Sequence, residues 1–209
     1  MHLPVRLRLS AWYGTATGAL CLIPFLAVLL SDAGLSDRAV AASLSTLPIG
    51  TLLGGPAWSW IADRTGAPRR VLLVAGALTL LATALLGLAH GELVLVALLL
   101  GFALARAPLF PLADAIPVRT RGGGRAAYGS VRLWGSVAYL GAVALVGWAR
   151  DLVPMAPVIA SAILLVGMMA ATATLPRPPP VERQPASEAL RALASSRALV
   201  LLIGIAVLH

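Results

Sequence analysis

The chain has 209 residues, 59% of them hydrophobic and 11% charged, with a formal net charge of +8; a soluble domain carries about 25% charged residues, so a water-soluble globular class is excluded. Every basic side chain is an arginine, which reads as a GC-rich bacterial coding bias, and the arginines are scattered among short inter-helical segments rather than gathered on one solvated face, which argues against a nucleic-acid partner. Cys21 is the single cysteine and His2, His90 and His209 have no ligand spacing, so neither an internal disulfide nor a metal or other cofactor is implied.

A helix that crosses the hydrocarbon core needs about 20 mainly apolar residues. The chain supplies that length six times, at Leu9 to Leu30, Ala39 to Ala62, Val71 to Ala89, Leu93 to Pro117, Ala127 to Ala149 and Leu152 to Leu175. The first run is too long for the core of a cleavable signal peptide. It carries Gly14-Thr15-Ala16-Thr17-Gly18, a spacing of small residues that lets helix backbones approach closely in lipid. Pro24, Pro48, Pro108 and Pro111 fall inside spans and predict kinks, which membrane bundles tolerate. Turns as short as His90-Gly91-Glu92 make neighbouring spans antiparallel. The expected fold class is an all-α membrane protein, a six-helix transmembrane bundle over residues 1–175.

Arginine bias sets the orientation. Twelve arginines, from Arg6 and Arg8 to Arg191 and Arg197, fall in segments on the side of the N-terminus, and two, Arg38 and Arg150, fall on the opposite side. The N-terminus and the segment after the sixth span are therefore expected in the cytoplasm. That segment, residues 176–197, begins Pro176-Arg177-Pro178-Pro179-Pro180, which ends the span and stiffens the chain toward polyproline II. Ser187 to Ser196 reads as a short amphipathic surface helix, and residues 198–209 as the truncated start of a seventh span.

Between the second and third spans lies Trp60-Ile61-Ala62-Asp63-Arg64-Thr65-Gly66-Ala67-Pro68-Arg69-Arg70. Asp63 sits at a helix C-terminus, where the dipole disfavours negative charge, so it calls for a nearby cation or helix N-terminus. A solvated basic loop would satisfy the positive-inside rule equally well. The segment resembles the signature loop of the major facilitator superfamily, with Asp63, Arg64, Gly66, Arg69 and Arg70 matching in type; Ser59 replaces the leading glycine and Ala67-Pro68 displaces the first basic residue. The resemblance implies that these five residues form a conformational-switch loop. It also implies that the chain is the N-terminal six-helix half of a twelve-span transporter whose C-terminal half is missing here.

Among the charges that lie within apolar spans are Asp114, after Pro111-Leu112-Ala113, and Arg132, 18 residues later. Ionisable groups at membrane depth are costly and usually face a bundle interior or a water-filled cavity. Both lie near the inner ends of antiparallel neighbours, so a structural ion pair and a substrate role are both open. Tyr128-Gly129, followed by Arg132-Leu133-Trp134-Gly135-Ser136, looks like the lactose-permease and phenylpropionate-permease branch of the superfamily, with the closer likeness to the second. By that likeness Asp114 and Arg132 bind substrate, Ser136 lines the site and Tyr139 takes the place of a stacking aromatic. Arg106, eight residues before Asp114, is expected deeper in the fourth span, facing either a central cavity or a polar partner elsewhere.

The expected activity is not enzymatic, because no carboxylates or histidines cluster at an interface. It is transport of a small-molecule substrate by alternating access across a bacterial inner membrane, coupled to protons. The substrate expected is an aromatic or other organic acid. A sugar or nucleoside, or a non-transporting half-length membrane partner, are the alternatives.

Overall fold

In lipid every backbone N–H and C=O has to be satisfied within its own segment, which leaves helix as the state open to apolar runs of this length. The computed structural model describes residues 5–119 and 125–175, and among them helix dominates and no strand occurs. The first span is built from α1 (Val5–Gly18), a 3-10 segment (Ala19–Phe25) and α2 (Leu26–Asp32). Next come α3 (Asp37–Thr65) and α4 (Pro68–Leu86), then α5 (Glu92–Arg106) and α6 (Leu109–Arg119), which together make the fourth span. The last two are α7 (Arg125–Arg150) and α8 (Ala156–Thr174). Among the described residues six segments are long and apolar enough to cross a membrane, and they coincide with the six expected from sequence to within a few residues. The linker over 176–197 and the seventh span from 198 lie outside the described residues.

The prolines act differently from one another. Pro48 and Pro56 sit inside α3, which stays one helix. Pro111 was expected to kink its span, but it lies in the first turn of α6, where a backbone N–H has no intrahelical partner to lose. Pro108 separates α5 from α6. Lacking an N–H, it leaves the carbonyl four residues earlier, that of Leu104, without its helical donor. The indole N–H of Trp58, on α3, donates to that carbonyl at 2.9 Å. In the first span, where Pro24 lies in the 3-10 segment, the Ser161 hydroxyl of α8 donates to the Ala19 carbonyl at 2.8 Å. Each irregularity thus receives a donor from a neighbouring helix.

Lipid tails are as apolar as leucine, so helices here associate through close packing rather than through escape from water. The principal contacts run α1 to α7 and α8, α3 to α5, and α4 to α5 and α8. Small residues set the distances. Gly14 packs against Ala138, and Gly18 against Leu164, so the small-residue spacing of α1 is a true helix contact. α3 has a second such pair: a Cβ on Gly50 would fall 2.6 Å from the Ala103 Cβ, and one on Gly54 would fall 2.8 Å from the Leu104 carbonyl oxygen. Apolar clusters fill the two ends of the bundle, one around Trp12, Leu72 and Met168, the other around Leu22, Leu99 and Phe102. Leu52, Leu81, Leu145 and Ile163 stay on the outside, where acyl chains solvate them.

Gly54→Ala should therefore cost about 1–3 kcal/mol through overpacking against backbone, lowering Tm in detergent. Gly55→Ala, whose added Cβ meets nothing within 4 Å, should stay within about 0.5 kcal/mol of the parent; equal shifts for the two would contradict the α3–α5 packing. Trp58→Phe should cost about 1–3 kcal/mol by stranding the Leu104 carbonyl. In a Pro108→Ala background, where an N–H returns to that carbonyl, the same substitution should cost measurably less.

Candidate functional site

The site is assembled where α1, α6 and α7 meet. α6 follows the break at Pro108 and carries Phe110 and Asp114, which meet Trp12 and Tyr13 of α1.

Tyr13 on α1 is the pivot of the arrangement. Only 1% exposed, it donates its hydroxyl proton to Asp114 Oδ1 on α6. Its ring is held edge-on by Trp12, at 5.2 Å between centroids, and Trp12 meets Phe110 of α6 edge-on at 6.0 Å. Trp12 is itself anchored, because its indole N–H donates to Thr172 Oγ1 on α8 at 2.8 Å. α7 comes close to α1 at Gly135, where a Cβ would lie 2.8 Å from Thr17 Oγ1 and 3.3 Å from the Tyr13 carbonyl.

Beside that contact opens a cavity of about 410 Å³, lined by Tyr13, Thr17 and Leu20 of the first span, Phe110 of α6, and Arg132 and Ser136 of α7. Its volume lies within the range of about 300–1,000 Å³ usual for small-molecule sites. Arg132 and Ser136 are four residues apart and so share a helix face. Among the described lining residues the one full charge is the Arg132 guanidinium, a planar fork of five donors suited to a carboxylate. Thr17 and Ser136 add hydroxyls, and Phe110 and Leu20 add an apolar wall. Asp114 is absent from the lining and stands behind Tyr13. Tyr139 is half-buried on α7, beyond the cavity wall.

Arg106 is the last residue of α5 and lies outside this cavity. Its guanidinium carbon sits 5.7 Å from the centre of the Phe102 ring, and its Nε is buried with no hydrogen-bond partner. Sequence reading passed over Tyr13, Thr17 and Phe110. The available signal was Tyr13 and Thr17 at a spacing of four, which puts two hydroxyls on one face of an otherwise apolar helix.

The arginine-rich end of the bundle is tied together by helix termini. Gly66 takes φ +62° just after α3, and its N–H donates to the Ala62 carbonyl, ending the helix in a left-handed cap. Asp63 is exposed in the last turn, and the Arg64 guanidinium lies 4.9 Å over the Trp60 ring. Arg69, in the first turn of α4, donates to the Ala173 carbonyl, and Arg8 of α1 donates to the Thr174 carbonyl at 3.3 Å. Both cations thus sit on the C-terminal end of α8, where the helix dipole favours positive charge. Arg70 is exposed. At the opposite end Arg150 and Asp32 form a salt bridge of 2.7 Å between the close of α7 and the close of α2.

Six apolar spans among the described residues define a polytopic membrane protein. The sequence model of the MFS_1 like family matches residues 7–198, and the chain belongs to that family, among the membrane transporters of small solutes of the major facilitator superfamily. No curated protein and no solved structure matches it.

Gly66→Ala should destabilise the protein by about 1–2 kcal/mol, because alanine pays the left-handed penalty that glycine avoids, read as a lower Tm. Gly66→Asn, which tolerates that conformation, should lose less.

Proposed function

We propose that the chain is the N-terminal half of a proton-coupled symporter that carries a small organic acid, aromatic acids foremost, by alternating access. The observation that carries this reading is Arg132, a full positive charge on the wall of a cavity of about 410 Å³ that also offers the Phe110 ring. A charge held in a span is expensive and marks a substrate or ion pathway by default. A carboxylate on the guanidinium and an apolar body against Phe110 and Leu20 would use both kinds of wall. In this reading Ser136 contacts the ligand, Tyr139 closes the outer margin of the site, and Asp114 completes its polar network. Arg106 serves an anion or a polar partner away from the cavity.

A second six-helix half would close the site from the other side, and rocking of one half against the other would expose it alternately. Asp63, Arg64, Gly66, Arg69 and Arg70 would form the latch at the cytoplasmic face, with the N-terminus in the cytoplasm of a bacterial cell and the bundle in its inner membrane. The arginine bias supports that orientation. A sugar or nucleoside is the second reading, supported by the Thr17 and Ser136 hydroxyls on the same lining.

Arg132 is exposed in this half; enclosed against a carboxylate by the second half it would be a buried charge pair, and Arg132→Gln in the full-length protein should then weaken binding of an aromatic carboxylate at least 30-fold, the loss of about 2 kcal/mol or more that such a pair costs. A thermal-shift series of aromatic acids, sugars and nucleosides on parent and variant checks it. Unchanged acid binding by the variant would remove Arg132 from the site, and stabilisation by sugars alone would select the second reading.

A further inference from the structure

A threonine within a helix ordinarily gives its hydroxyl proton to the carbonyl three or four residues earlier. From Thr15 on α1 to Thr174 on α8 the described threonines do so at 2.6 to 2.9 Å, with one exception. Among the described residues the Thr17 hydroxyl has no hydrogen-bond partner. The α7 backbone does not take its proton either, although Oγ1 lies 2.8 Å from where a Cβ on Gly135 would stand. Thr17 is half-buried on the cavity wall, one turn from Tyr13 along α1. A hydroxyl kept from water without a partner costs free energy, and the Tyr13 carbonyl, four residues back, is the acceptor that helical habit would give it. It is held on the cavity instead.

We propose that Thr17 is a specificity-determining ligand contact: its hydroxyl donates to a keto oxygen on the solute, so the site favours organic acids that carry a carbonyl besides the carboxylate. This role rests on the organic-acid reading above, and neither Tyr13 nor Arg132 has to be open for the contact itself. A hydroxyl has one proton and two lone pairs, and the proton is what nothing among the described residues takes from Thr17. The ligand group that answers it is an acceptor. A carbonyl oxygen accepts without bringing a proton that needs an acceptor of its own. Leu20 and Phe110 on the same lining leave an apolar wall for the rest of the solute. Gly135 fixes where the proton is offered, because the glycine lets α7 lie against Thr17 beside Ser136.

The test measures equilibrium binding to the full-length protein of the ortho, meta and para acetylbenzoates, each against the isopropylbenzoate of the same substitution. Within a pair the shapes are close and the keto oxygen is the difference. For at least one pair, Thr17→Val should cut the acetyl-to-isopropyl affinity ratio about fivefold, the worth of one hydrogen bond. Thr17→Ser, which keeps the hydroxyl, should preserve the ratio. The empty Thr17→Val protein should melt at or above the parent Tm, because the variant loses no hydrogen bond made among the described residues and sheds a hydroxyl that has none. Ratios unchanged by Thr17→Val in every pair would overturn the proposal and spare the organic-acid reading. A lower Tm together with equal weakening of both members of each pair would also overturn it, by making Thr17 a packing residue. If no acid of either series binds the parent, the organic-acid reading falls as well.

Discussion

The carbonyl of Leu104 organises more of this protein than any charge does. Pro108 takes away its helical donor, and Trp58 of α3 supplies another at 2.9 Å. In water such a carbonyl would cost little, because solvent would reach it. At membrane depth an unsatisfied group costs several kcal/mol, so the break is tolerated only where a neighbour can answer it. The answer comes through the tight α3–α5 contact made at Gly50 and Gly54. Beyond the break α6 carries Phe110 and Asp114, which meet Trp12 and Tyr13 of α1. Packing of small residues thus comes first, the helix break second, and the cavity third.

Much of the architecture was legible in the sequence because length and hydropathy report directly on the bilayer. Six runs of about 20 apolar residues leave few folds open, and the six spans appear where expected. The prolines were less legible. Pro108 and Pro111 look alike in a sequence, yet one breaks a span and the other starts a helix, since the effect depends on which carbonyl loses its donor. The site was legible in part. Arg132 and Ser136 share one face of one helix, which spacing can show, and both reach the cavity. Tyr13 comes from a span 101 residues away from Asp114, and no periodicity within either helix announces that meeting.

The two ends of the bundle are fastened by different means. At the arginine-rich end Arg8 and Arg69 converge on the last carbonyls of α8, joining α1 and α4 to one helix terminus. At the other end the Asp32–Arg150 salt bridge joins the first span to α7. Both sets of contacts link elements far apart in the chain and adjacent in the bundle. A body fastened at both ends transmits a push at one end to the other, which suits a half-molecule proposed to rock as a unit.

Gly135 carries a consequence of its own. Its missing side chain is what allows α7 to lie against Thr17 and the Tyr13 carbonyl, with 2.8 Å between the position of a Cβ and Thr17 Oγ1. A glycine here acts as a calliper: the distance between α1 and α7 is set by an atom that is not there. An alanine or serine here would have to push α7 away from the Tyr13 carbonyl, so the spacing of the two helices is gauged by this single position.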